Sequence, residues 1–131
     1  MLIQRAEAKY VRIAPRKVRL VADLIKGKNV EDANYILDSV NKRATRPLKK
    51  VLNSAFANIN QNRQEKILSK DAFIAEIKAE EGPMLKRYRA ATMGRATSIR
   101  HRTAHISVAL KASETATAGK TKKKKAKGVK K

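Results

Sequence analysis

Apolar and polar positions change period several times along the chain, and each change marks an element. Residues 4–13, QRAEAKYVRI, alternate: Ala6, Ala8 and Tyr10 fall on one side of an extended chain, with Arg5, Glu7 and Lys9 on the other, which predicts a strand. The next stretch, APRKVRLVADLIKGK, switches to helical spacing. Val18, Val21, Leu24 and Ile25 share a face, Pro15 suits the first turn and Gly27 the stop. VEDANYILDSV predicts a second helix, with Val30, Ala33, Leu37 and Val40 aligned and Glu31 and Asp32 near its start. The third, from about Thr45 to Asn60, has Pro47 in its first turn and carries the strongest periodicity. Leu48, Val51, Leu52, Ala55, Phe56 and Ile59 form a continuous apolar stripe, most simply core.

Alternation then returns twice. In DAFIAEIKAEE, Phe73, Ala75, Ile77 and Ala79 are predicted to face the core, and in a later strand Ala104, Ile106, Val108 and Leu110 do the same. Between the two lies MLKRYRAATMGRATSIRHRTAH, Met84 to His105, which has neither an apolar stripe nor an acidic residue. If Ile77 faces Val108, the two strands extended outward meet near Met93-Gly94, where glycine suits a tight turn. That predicts a hairpin over about 82–104. Arms of about ten residues at roughly 3.3 Å each would reach about 33 Å. A two-stranded ribbon of that length is marginal alone in water. The pattern therefore describes a small α+β body bearing a long basic hairpin that something outside the protein must support.

Charge sharpens this picture. The 131 residues hold 32 Lys plus Arg against 11 Asp plus Glu, a formal charge of +21. Residues 1–81, 82–113 and 114–131 each carry a net +7, so two thirds of the charge lies in the last 50 residues. Such self-repulsion destabilises an isolated compact chain, and a polyanion relieves it. A pI near 10.7 lies beyond the usual guide value for nucleic-acid-binding domains. The organisation expected is one α+β domain over residues 1–113, followed by a Lys-rich tail over 114–131. That tail, ETATAGKTKKKKAKGVKK, lacks the apolar surface to offset ordering entropy and is expected to be disordered.

Candidate chemistry is thin. With no cysteine there are no disulfides or thiolate metal sites. No signal core or membrane-length apolar run is present in the sequence, so no membrane partner is expected and an intracellular protein is favoured. HRTAH places His101 and His105 four apart, but Arg102 stands where a metalloprotease helix would need its general-base Glu, and the surroundings read as strand. GKT at Gly119–Thr121 lacks the earlier glycine of a phosphate loop, since position 114 is Glu. Glu80 and Glu81 are adjacent and would face opposite sides of a strand, so they more plausibly balance cations at the ribbon's base than act as an acid/base pair. No catalytic residue, metal or cofactor is expected. What remains is basic recognition, in which Arg and Lys meet phosphates while Tyr88, His101 and His105 stack on exposed bases. Arg16, Lys17 and Arg19 crowd a helix start that prefers acids, which suggests a phosphate contact there as much as a solvated face. Composition leaves RNA and DNA equally open, and a histone-like DNA-compacting protein with a basic β-arm is the alternative reading.

Four pieces, APRKVRLVADLIKGK, VLNSAFANINQN, EGPMLKRYRAATMGRAT and RTAHISV, together resemble the bacterial form of the large-ribosomal-subunit protein twenty-two family, in order and spacing over roughly residues 4 to 111. The resemblance implies three helices packed on a small three-stranded antiparallel sheet with a long protruding hairpin. It implies a structural protein that binds large-subunit ribosomal RNA, supports its assembly and lines the peptide exit tunnel with its hairpin. Neighbouring large-subunit proteins, including number four, would be partners, with the nascent peptide at the hairpin tip left open as a further one. The ribosome in the cytoplasm would be its location. Carried over by position, the basic hairpin residues are Lys86, Arg87, Arg95 and Arg102, the turn glycine is Gly94, and RT-x-HI falls on Arg102, Thr103, His105 and Ile106. The RNA-facing set expected is thus Arg16, Lys17 and Arg19 in the first helix, with Lys86, Arg87, Arg89, Arg95, Arg100, Arg102 and His105, and a tip of Thr92, Met93 and Gly94. Where many members have a Pro-Arg-Ala run before the turn, this chain has Ala90 to Met93, a less cationic tip.

Overall fold

The computed structural model describes residues 2–61 and 66–112. The tail expected over 114–131 lies outside the described residues. The elements run β1 (Leu2–Val11), α1 (Pro15–Ile25), α2 (Val30–Ser39), α3 (Thr45–Gln61), β2 (Ala72–Glu81), β3 (Leu85–Ala90), a short 3-10 turn (Thr92–Gly94), β4 (Ala96–His101) and β5 (Ala104–Ala112). One antiparallel sheet has the order β1-β5-β2, and β3 and β4 form a second, two-stranded sheet.

The helices cover one face of the larger sheet, α3 against β1 and β5 and α1 against β2. Their stripes supply the core, in which Val18, Ile25, Leu48, Leu52 and Ile59 meet Ile74, Ile106, Val108 and Leu110. Helix α1 turns its inner face to the sheet with Val18, Val21, Ala22 and Ile25. Leu24, expected in that stripe, is half exposed, and Leu20 one turn earlier is more so. The opposite sheet face is charged. Its Glu76 lies 2.9 Å from Lys78, whose ammonium holds that carboxyl below the usual range.

The central strand β5 follows its pattern, with Ala104, Ile106, Val108 and Leu110 all buried. Ile77 pairs with Val108, as the sequence suggests. Both flanking strands depart from simple alternation because each carries a bulge. In β2 the register shifts between Ile74 and Glu76, so the buried positions are Ala72 and Ile74 before the shift and Ala79 after it. Phe73 and Ala75, expected to face inward, are exposed. An extra residue in one strand reverses the facing of everything on one side of it. In β1 the shift falls between Ala8 and Val11, and Tyr10 adopts φ 57°. Tyr10 consequently leaves the face shared by Ala6 and Ala8. Its N–H donates to His105 Nδ1 at 3.1 Å, and the two rings meet edge to face at 4.8 Å.

The hairpin is not a simple prolongation of β2 and β5. Gly82 to Met84 interrupt one arm and Arg102-Thr103 the other, leaving paired strands of six residues each where about ten were expected. Proline at position 83 cannot donate to a ladder, which explains the break.

Candidate nucleic-acid interface

The hairpin places its cations on both faces. Residues opposite each other in an antiparallel pair share a face, and the register sets Lys86 against Arg100, Arg87 against Ile99, Tyr88 against Ser98 and Arg89 against Thr97. Lys86 and Arg100 are therefore like charges directly across from one another, an arrangement that costs stability unless an anion sits nearby. No residue of β3 or β4 is buried. Among the described residues, Arg102 is the one hairpin cation within 4.0 Å of a carboxylate, reaching Glu81 at 3.5 Å, so Glu81 does balance a cation at the ribbon's base. Arg87 donates to the Lys86 carbonyl at 2.7 Å.

The tip closes over Thr92, Met93 and Gly94. Arg95 N–H donates to the Thr92 carbonyl at 3.3 Å and Ala91 N–H to the Arg95 carbonyl at 2.8 Å. Met93 at φ 57° and Gly94 at φ 68° are both left-handed. Two successive left-handed residues make the turn that matches strand twist, and glycine takes that conformation without penalty whereas Met93 does not. The Met93 side chain is 93% exposed.

At the other end, a small polar junction ties the hairpin to the sheet. Thr103, 4% exposed, donates its hydroxyl proton to the Pro83 carbonyl at 2.7 Å, and Gly82 N–H donates to the Thr103 carbonyl at 3.0 Å. A Cβ on Gly82 would lie 2.5 Å from Thr103 Oγ1 and 3.1 Å from His105 Nε2, so the chains approach too closely for any side chain. His105 thus has a packing role beside Tyr10 and Gly82, and its surroundings include Glu7 and Glu80 as well as Lys9.

Helix α1 brings its own cations. Its N-cap, Ala14, offers no side-chain cap, and its first turn holds no acid, only Arg16 and Lys17. By contrast, α2 has the Asn29 side chain accepting from Asp32 N–H at 2.7 Å, with Glu31 and Asp32 in its first turn. The second helix obeys the dipole rule and the first breaks it, which is what an anion-facing helix start would look like. Arg16 and Lys17 are exposed. Arg19 is turned onto the sheet, where its Nε donates to the Ala79 carbonyl at 3.0 Å.

The structure brings some of these residues together and leaves others apart. An open groove of about 1120 Å³ runs between α1, the α2–α3 connection and the hairpin base. Lys17 meets Arg87, Arg100 and Arg102 there, while Arg16, Arg19, Lys86, Arg89 and Arg95 lie outside its lining. Arg12, Lys42 and Arg43 join from connections that the sequence did not single out. The signal was present in NKRATRP, a basic connection without an acid, but nothing local shows that it faces the hairpin. Among the described residues no cluster of three potential metal ligands occurs, and no helix is long and apolar enough to cross a membrane.

A family model described as ribosomal protein L22p/L17e matches residues 6–111. Curated relatives named large ribosomal subunit protein uL22 cover most of the chain. One from Syntrophus aciditrophicus is 52% identical over 108 residues, 81% of this chain and 94% of the relative. One from Desulfitobacterium hafniense is 55% identical over 105 residues, 79% of this chain and 90% of the relative. One from Rubrobacter xylanophilus is 52% identical over 110 residues, 84% of this chain and 85% of the relative.

Proposed function

Because the chain belongs to the ribosomal protein L22p/L17e family, we infer that it is a structural constituent of the large ribosomal subunit that binds the subunit's ribosomal RNA. Its role is architectural and not enzymatic, and its place is the ribosome in the cytoplasm. The observation that carries the reading is the hairpin. Six cations lie between residues 84 and 102 with no acid among them, four on strands that bury nothing of their own and Arg95 and Arg102 just beyond the strand ends. A ribbon of this kind has no core to hold it, and a surround of phosphates supplies both charge balance and support.

In this reading Lys86, Arg87, Arg95 and Arg102 grip RNA along the hairpin, helped by Arg89, Arg100 and His105. Arg16, Lys17 and Arg19 contact it from α1. The protein supports folding of the RNA during assembly, and the tip at Thr92, Met93 and Gly94 lines the peptide exit tunnel beside neighbouring large-subunit proteins, within reach of the nascent peptide. The body spans residues 1–113, and the Lys-rich residues 114–131 add sequence-independent RNA affinity. Sedimentation of a lysate through a high-salt gradient tests the reading. Comigration with large subunits is expected, and recovery with chromosomal DNA would overturn it in favour of a DNA-compacting protein.

A further inference from the structure

The groove at the hairpin base combines apolar and basic residues, which a simple phosphate track does not require. Its floor includes Leu20 and Leu24 of α1, 66% and 48% exposed, with Ile13, Val40 and Leu85 beside them. Arg12 and Lys17 border it on the α1 side, and Lys42 and Arg43 on the α2–α3 connection. Across the gap stand Arg87, Arg100 and Arg102, and no acidic side chain lines it. Two large exposed apolar residues one helical turn apart, enclosed by seven cations, leave a site that is apolar below and positive around the rim.

An occupant must satisfy both halves. A folded protein partner would have to bring a ring of acids to match seven cations with no acid among them, a charge that a nucleic acid carries at every step. A nucleic-acid duplex would meet the rim with its phosphates but keep its base faces stacked, leaving the leucines without a partner. An unpaired strand offers both, an apolar base face and a phosphate at every step. The volume of about 1120 Å³ exceeds the roughly 300–1,000 Å³ of small-molecule pockets and suits a chain segment that enters and leaves.

We propose that this groove holds a short unpaired segment of ribosomal RNA, with a base seated on Leu20 and Leu24 and its flanking phosphates on Lys17, Lys42, Arg43 and Arg100. This rests on the ribosomal-RNA-binding reading and adds to it a site off the hairpin ribbon. The cations at the rim set the salt dependence, whereas the leucine floor contributes affinity that salt does not screen.

The test replaces the floor and the rim separately in the full-length protein. Leu20→Ser with Leu24→Ser is expected to weaken binding to large-subunit RNA about five- to tenfold, with the slope of log affinity against log salt unchanged. Arg43→Gln should weaken binding and make that slope shallower by about one. In subunits reconstituted with the wild-type protein, base-edge chemical probing should find an unpaired base that is protected, and that the leucine variant leaves reactive. Both leucines are exposed, so the fold should survive; thermal melting checks this, and the Arg43 variant and the wild-type footprint stand even if it does not. Equal binding by the leucine variant and wild type, or crosslinking of a Leu24→Cys protein to another ribosomal protein in place of RNA, overturns the proposal while leaving the ribosomal-RNA-binding reading intact. Failure of the wild-type protein to bind the RNA at all overturns that reading, and with it the site.

Discussion

Gly82 and Gly94 are constrained for opposite reasons, and the difference can be measured. At Gly94 the space is open but the backbone is left-handed, so Gly94→Ala adds strain at the tip of about 1–2 kcal/mol. At Gly82 the limit is contact, with Thr103 Oγ1 2.5 Å from the missing Cβ. Gly82→Ala is expected to disturb the Thr103–Pro83 bond and cost about 1–3 kcal/mol of global stability by overpacking. Urea denaturation should therefore show a lowered midpoint for Gly82→Ala and little change for Gly94→Ala, whose strain falls on a hairpin without buried residues. A midpoint unchanged in Gly82→Ala would mean that the junction yields freely. Gly94 was legible from the sequence as a turn residue. Gly82 was visible only as a break beside Pro83, because its crowding comes from a threonine and a histidine more than twenty positions away.

At the scale of elements, the helices were readable because their stripes are local. Helix α3 is the clearest case, with Leu48, Val51, Leu52, Ala55 and Ile59 all buried. Strand β5 was equally plain, being central and regular. Its neighbours were not, since a bulge is decided by how a strand pairs and not by its own alternation. Phe73 and Tyr10 look inward on the pattern alone and point outward once Ala75 and the residues after Ala8 are accommodated. The candidate site divides in the same way. The hairpin's cations are visible as an acid-free run, whereas the groove joins Arg12, Lys42 and Arg43 to residues 87–102 and exists only in three dimensions. The hairpin's lack of a core predicts its behaviour as an element. In the free protein, amides of residues 84–102 should exchange within the range of frayed segments, far faster than those of β5. In the assembled subunit they should be protected. Strong protection in the isolated protein would show that the ribbon supports itself, against the cost of setting Lys86 opposite Arg100.

For the whole molecule, the asymmetry of charge is the controlling feature. Seven cations and no acid occupy residues 82–113. If each neutralises one phosphate, this region contributes a slope of about −5 to −6 to log affinity against log salt. Arg87→Gln with Arg95→Gln should make the measured slope shallower by about two, and an unchanged slope would remove both residues from the RNA contact. Acids are instead placed on the body's sheet and at the start of α2, as at Glu76 and Glu31. The two bulges have a bearing on the same body before it meets RNA. The outer strands β1 and β2 are edges, although on β2 the Ile74 N–H already donates to the Lys28 carbonyl at 2.9 Å, and an unpaired edge is a template on which a second copy can polymerise. The irregularities at Tyr10 and Ala75 fall one on each edge strand, the second beside the segment bonded by Lys28, and each breaks the straight run of donors and acceptors that edge-to-edge stacking requires. The two irregularities thus make the unassembled body a poorer template for filament growth than two straight, unpaired edges would be.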